Sequence, residues 1–420
     1  MSDRIKHLFA QCVYAIAFPF IIVYALITAP FIPKIRHKKR RRIILEASIR
    51  WIQWCQIRLP MKREKQVSRD NYKVWCAKYG VEEDIESLGA GAELLWIGRK
   101  GAVRGGRGAE RGPERAAAGG SIGSAAVRTP RRVILYFHGG AFIFCLQPFA
   151  INFLNYIRHE ASKGLKESDG SEADSESIAV AMLAYSLFPD ATFPTQLHQA
   201  VLALRSLLDQ GIDPSNIIVM GDSAGGNLVV QLLGHLLHPI PSIPSLKIDP
   251  IPAINTNIKL GGAYLLSPWA TMVPAESHRT KGTWKSNDGY DILSTKAVVF
   301  GGTKILQTLR EAPGVFQALE PYITLHGAPE GWWAGLEKRV GRVLVSAGEL
   351  EVMCGDIVEM GKRFGEVHKD VEVLVVKGGI HNDPTFDFFF EDELKPGQEV
   401  DGKELKQIVD WARGVFAVGR

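Results

Sequence analysis

The chain has 420 residues, 46% hydrophobic and 23% charged, a balance that supports a large buried core and excludes wholesale disorder. Its net charge of +5 is local: seven Lys and Arg residues fall between Lys34 and Arg42 (KIRHKKRRR), and without them the chain carries −2. A uniformly basic nucleic-acid surface is thereby excluded, and no nucleic-acid partner is expected.

From the N-terminus, residues 8–33 (LFAQCVYAIAFPFIIVYALITAPFIP) run for 26 positions without a charge. About 20 apolar residues cross a bilayer core at a rise of ~1.5 Å each, whereas a signal peptide has a shorter apolar region and a small-residue cleavage site. The segment therefore predicts a retained single-pass transmembrane anchor in contact with membrane lipid. Pro19 should kink it, and Pro30 and Pro33 should help to end it. The positive-inside tendency of Lys34–Arg42 directs the rest of the chain to the cytosol. Residues 34–99 read as this basic flank plus helices. Trp51, Ile52, Trp54, Ile57 and Leu59 give an apolar side edged by Arg50 and Arg58. Such a side suits either a membrane interface or packing on the catalytic domain downstream.

Residues 100–130 are rich in Gly, Ala and Arg and nearly devoid of large apolar side chains, so they predict a flexible low-complexity insertion. Beyond them, short apolar runs at Val133–Phe137, Ile178–Leu183, Ile217–Met220, Ala263–Leu266, Val343–Ser346 and Val371–Val376 alternate with helical segments. Near-continuous apolar strands separated by helices predict a mostly parallel sheet covered on both faces, over a domain spanning 131–420. A polar, acidic stretch at 162–177 and a Pro- and Ile-rich one at 239–252 read as loops. Cys12, Cys55, Cys76, Cys145 and Cys354 are scattered, with no Cys and His at metal-ligand spacing, which argues against a disulfide framework or a zinc site.

The strongest chemical signal is NIIVMGDSAGGNLVVQLLGHLL (216–237), an apolar strand running through GDSAG directly into an apolar helix. That is the context of a G-x-S-x-G nucleophile elbow, with Ser223 as nucleophile and Gly221 and Gly225 relieving the crowded turn. Upstream, the strand of RRVILYFHGGAF ends in HGGA, where the backbone N–H groups of Gly139 and Gly140, with that of Ala224, can serve as an oxyanion hole. His138 and Asp222, flanking these elements, are expected to support them. The base should follow the acid in chain order. His381, on a loop just past the strand VEVLVVKG, is the expected base; His235 and His238 lie on or at the end of the elbow helix, and His368 precedes that last strand. For the acid, Glu349, Glu351 and Asp356 all lie past the preceding strand, and spacing alone does not choose among them.

HGGA, GDSAGGN and the stretch AYSLFPDATFPTQLHQA (184–200) together resemble the hormone-sensitive-lipase group of α/β-hydrolases, the α/β-hydrolase-3 family, from Val133 to the C-terminus. The last stretch is similar to that group's Y-x-L-x-P-E-x-x-[FY]-P pattern, with Asp190 in place of Glu. PEGWWAGLEKRVGRVLVSAGELEVMCGDI more narrowly resembles fungal members, including steryl acetyl hydrolase-like proteins. The resemblance implies an α/β-hydrolase fold with a helical cap built from N-terminal helices and an insertion at about 269–322. Through the pattern G-x-x-E-x-L-x-x-D, matched by GELEVMCGD with Met353 for Leu, it implies Glu351 as the triad acid and Asp356 as a supporting residue. Membrane-anchored relatives place the catalytic domain in the lumen of the endoplasmic reticulum, opposite to the side the basic run favours, so orientation stays open. The expected function is a serine carboxylic-ester hydrolase that cleaves short-acyl esters of a small lipophilic alcohol, with no metal or cofactor. An amidase or formamidase with the same triad and a non-catalytic binder on the same fold are the alternatives.

Overall fold

The computed structural model describes residues 3–58, 67–99, 132–166, 172–173, 177–240, 251, 254, 258–311, 314–389 and 402–418. The low-complexity insertion expected at 100–130 lies outside the described residues, as do parts of the stretches 162–177 and 239–252.

Among the described residues, eight strands form one sheet: β1 (Ile85–Gly89), β2 (Ala92–Ile97), β3 (Arg132–Phe137), β4 (Ile178–Ala184), β5 (Ile217–Asp222), β6 (Leu260–Leu266), β7 (Val340–Gly348) and β8 (Val371–Val376), in the order β1-β2-β4-β3-β5-β6-β7-β8. β1, β2 and β4 pair antiparallel, and every other pairing is parallel. The six strands expected from apolar runs are β3 to β8. The β1–β2 hairpin departs from the helical reading of 34–99. Its signal is the apolar ELLWI run behind a turn in which Ala90 and Gly91 take φ of 49° and 72°.

Side chains alternate between the two faces with a period of two, and strands β2 to β7 are largely buried on both, whereas the edge strand β8 leaves Val373 and Val375 exposed. Val133, Leu135 and Phe137 of β3, with Val219 of β5 and Leu265 of β6, share a layer with Leu204 of helix Thr195–Asp209, Leu228 of helix Ala224–Leu237 and Phe364 of helix Cys354–Gly365. Ile134 and Tyr136, with Ile218 and Tyr264, face the opposite layer. There they meet Trp75 of helix Ser68–Tyr79, Phe153 of helix Pro148–Ser162 and Trp411 of helix Lys403–Val418. Between β6 and β7, where a cap insertion was expected, the chain forms short helices including Thr295–Ile305 and Val315–Ile323. Trp284, Ile305 and Ile323 from this stretch are buried in the first of those layers.

The N-terminal segment requires a correction. No helix among the described residues is long and apolar enough to cross a membrane, which overturns the single-pass anchor over residues 8–33 and the endoplasmic-reticulum membrane location built on it. Helix Asp3–Thr28 begins with charged residues, and one side of the C-terminal part of its apolar run packs against protein while Val23, Tyr24, Ile27 and Phe31 are exposed. Ala25, Leu26, Ala29 and Ile32 pack with Ile35, Ile43, Ile292, Leu350 and Ile380. Pro30 lies in the 3₁₀ turn Ala29–Phe31 just beyond the helix. The basic run is likewise folded into the protein: Lys38 (2.8 Å) and Arg42 (3.0 Å) both pair with the buried Glu46, and Arg42 also pairs with Asp383. Helix Arg40–Arg58 thus packs on the catalytic domain through Ile43 and Leu45.

Candidate active site

β5 runs directly into helix Ala224–Leu237, and Ser223 occupies the junction with φ 51° and ψ −113°. A non-glycine residue held in this region is strained and persists only where its surroundings fix it. Here Ser223 N donates to Leu266 O (3.0 Å) and Ser223 O accepts from Trp269 N (2.8 Å). The flanking glycines are demanded by space: a Cβ on Gly221 would stand 2.3 Å from Gly225 O, and one on Gly225 1.9 Å from Phe137 O. The turn presents the hydroxyl past the carboxyl end of the sheet.

Two further loops reach the same rim. Ser223 Oγ lies 2.8 Å from His381 Nε2, on the loop after β8, and His381 Nδ1 lies 3.0 Å from Glu351 Oε2, on the loop after β7. Fractional exposure falls along the line, from 8% at Ser223 to 3% at His381 and 0% at Glu351. Of the three carboxylates that spacing left open, Glu351, the one the resemblance implies, meets the imidazole. Glu349 accepts from Gly378 N (2.8 Å), and Asp356 pairs instead with His278 (2.8 Å). Glu351 Oε1 is satisfied by Ser267 Oγ (2.6 Å) and Gly348 N (2.5 Å). Burial alone would lower the His381 pKa, but the Glu351 hydrogen bond and the charges of Glu351, Asp291 and Asp222 outweigh it and raise the pKa. A hydroxyl, an imidazole and a carboxylate in this line can pass the hydroxyl proton to the ring while the carboxylate steadies the imidazolium.

The expected oxyanion donors separate into two groups. Gly139 N donates to Asp222 Oδ1 (2.7 Å), so that amide holds the loop in place and is not aimed at a substrate oxygen. A Cβ at Gly139 would stand 2.2 Å from Asp222 Oδ2, which explains the glycine. Gly140 takes φ 108°, a conformation that favours glycine, and Ala224 opens the elbow helix, where first-turn N–H groups have no partner inside the helix.

His138 is buried and bonded through Nδ1 to Gly139 O (2.7 Å), and its ring stacks on Tyr185 at 4.1 Å. Tyr185 OH donates in turn to His138 O (2.6 Å). Burial pushes the His138 pKa down to about 4, so the ring is neutral near pH 7 and braces the loop. Sequence reasoning missed four contributors. Tyr185 supports the HGGA loop, Ser267 orients Glu351, Asn382 donates to Asp222 Oδ2 (2.7 Å), and Asp291 accepts from the backbones of both His381 (3.0 Å) and Val352 (2.9 Å). Tyr185 stands within a recognised motif and Asn382 beside the expected base; Asp291 lies in a polar loop without a distinguishing pattern. Among the described residues, His278, His326 and Asp356 form a group able to hold a metal ion, apart from the Ser223 line.

Comparison with known proteins places this geometry in context. The sequence profile of the family described as Steryl acetyl hydrolase matches residues 126–392. An acetyl-hydrolase of Streptomyces hygroscopicus is 31% identical over 155 residues, 37% of this chain and 42% of that protein. Human arylacetamide deacetylase-like 2 is 33% identical over 111 residues, 25% of this chain and 24% of its own length. The chain thus spans less than half the length of either relative. The crystal structure of an esterase from the bacterial hormone-sensitive lipase family superposes with a TM-score of 0.52 at 20% identity, covering 90% of this chain and 99% of the other. At that identity the likeness establishes the α/β-hydrolase fold.

Proposed function

Because the chain belongs to the steryl acetyl hydrolase family, we propose that it is a serine esterase removing short acyl groups, acetyl first among them, from a small lipophilic alcohol. The observation that supports this reading is the unbroken hydrogen-bonded line from Ser223 through His381 to Glu351.

In the proposed reaction, His381 Nε2 takes the Ser223 proton as Oγ attacks the ester carbonyl. The N–H groups of Gly140 and Ala224 receive the oxyanion, each such donor typically worth about 3–4 kcal/mol in the transition state. Collapse of the tetrahedral species breaks the bond to the alcohol, which leaves with the proton from His381. The same imidazole then activates water to release the acid and free Ser223. Glu351 holds the imidazolium through both halves. The steps use the chain's own residues and water.

A fluorophosphonate probe should label Ser223, and Ser223→Ala should lose labelling together with turnover of p-nitrophenyl acetate. An unlabelled parent chain would indicate a binding protein and overturn the proposal. Rates across p-nitrophenyl esters of increasing acyl length, run beside a sterol acetate, define the substrate class. The likeness to a protein named for arylacetamide deacetylation makes acetyl amides the second class to compare, using matched acetyl esters and amides.

A further inference from the structure

Asp356 shares a sequence motif with Glu351, yet it faces away from His381, and its neighbours define a different kind of site. We propose that His278, His326 and Asp356 bind a divalent transition metal ion, with zinc the ion that best suits this donor set.

The three ligands come from separate pieces of chain: His278 from helix Glu276–Arg279, His326 from the 3₁₀ turn Leu325–Gly327, and Asp356 from the first turn of helix Cys354–Gly365. Their ligand atoms all lie within 4.8 Å of one another. His278 Nε2 is 2.8 Å and His326 Nε2 3.8 Å from the same carboxylate oxygen, Asp356 Oδ1. Tetrahedral zinc with bonds near ~2.1 Å holds its ligand atoms about 3.4 Å apart, a separation that these two distances bracket. A metal would open the first pair by about 0.6 Å and close the second by about 0.4 Å, and the two ring nitrogens lie within 4.8 Å of each other.

The surroundings suit an ion. The imidazoles meet edge to face with centroids 4.7 Å apart. A bound ion would replace the proton shared between His278 Nε2 and Asp356 Oδ1, so metal binding at this site releases a proton. Trp284 Nε1 donates to Asp356 Oδ2 (3.2 Å), an outer contact that turns Oδ1 toward the histidines. Burial is graded: Asp356 is 5% exposed at its side chain, while His278 and His326 are 36% and 43% exposed. The carboxylate is thus anchored in protein, and solvent reaches the two nitrogens, leaving an entry path and room for water as a fourth ligand. A nitrogen and oxygen set of this composition suits zinc, nickel and copper better than magnesium or calcium. Bound there, the ion would tie the β6–β7 segment to the helix after the Glu351 loop, a structural staple outside the Ser223 line.

The test uses the full chain, untagged, stripped with a chelator and desalted. Zinc chloride is titrated by calorimetry, and thermal unfolding is followed with and without zinc. The expected result is one zinc per chain with micromolar or tighter affinity and a higher Tm. His278→Gln and His326→Gln should each weaken binding at least tenfold, and the double variant should lose the zinc-dependent Tm rise while keeping the Tm of the stripped parent. Absence of binding overturns the proposal. Binding that survives in the double variant assigns the ion to another surface and overturns it equally. Neither result bears on Ser223, whose reactivity is read separately by the fluorophosphonate probe.

Discussion

Asn382 Nδ2 donates to Asp222 Oδ2 at 2.7 Å, so the residue following the imidazole is bonded to the residue preceding the nucleophile. The other oxygen of Asp222 accepts from Gly139 N and from Tyr136 OH. One buried carboxylate therefore coordinates the elbow, the HGGA loop and the histidine loop; burial raises its pKa, and the Tyr136 and Gly139 hydrogen bonds oppose that rise without cancelling it.

Asp222→Asn tests that arrangement. An amide has one acceptor oxygen, so at least one of the three donors would face Nδ2. The expected cost is about 1–3 kcal/mol in urea unfolding and, because the three loops shift relative to one another, a fall in kcat of about 10- to 100-fold. Unchanged kcat with lowered stability would reduce Asp222 to a packing role.

The acid limb of activity is set by His381. Its pKa is raised above the ordinary 6.5 because Glu351 and the neighbouring charges outweigh burial. The ring must be neutral to accept the Ser223 proton, so kcat/KM should fall as pH drops through a midpoint above 6.5. Glu351→Gln removes the largest favourable contribution, and should move that midpoint to lower pH while reducing kcat by about 10³–10⁴-fold. A midpoint that stays in place would mean another group sets the limb.

Ser223, His381 and the six parallel strands were legible because each carried a local pattern: an apolar strand, a glycine-flanked turn, a residue just past a strand's end. Glu351 was not separable from Glu349 and Asp356 by spacing, since the direction in which a loop presents each carboxylate depends on contacts from β6 and β8. Asp291 left no trace in sequence for the same reason, its two partners being backbone amides 61 and 90 residues away. The apolar run at 8–33 misled because hydropathy does not report which side of a helix meets protein: Ala25, Leu26, Ala29 and Ile32 pack on the protein, whereas Ile16, Phe20, Val23, Tyr24, Ile27 and Phe31 are exposed.

Asp291 makes a prediction of defined sign. Burial, with the nearby Glu351 charge adding to it and His381 opposing, raises its pKa from 3.8 to about 6. Between those values the folded chain keeps a proton that the unfolded chain has released, so this group's contribution to stability falls as pH rises from about 4 to 6, by roughly 2–3 kcal/mol. In Asp291→Asn that contribution is absent. The stability difference, parent minus variant, should therefore decrease over this window in urea unfolding at both pH values. A difference that is flat or grows with pH contradicts the assignment.

Arg42 decides whether the N-terminal segment is part of the folded unit. Its guanidinium pairs with Glu46 at 3.0 Å, with Asp383, and with Asp387 at 3.6 Å, and it lies over the Phe386 ring. Asp383 is two residues beyond His381, so a basic residue of the expected membrane flank instead reaches the loop that carries the imidazole. Arg42→Met keeps the apolar stem but leaves Glu46 with Lys38 alone and Asp383 without this partner. Removing one member of a mostly buried ion network should cost about 2–4 kcal/mol, read as a lower urea midpoint of the whole chain with an unchanged m-value. If residues 3–58 were an independent appendage, the same substitution would leave the unfolding of the catalytic domain where it was, and the packing of this segment against the histidine loop would have no energetic weight.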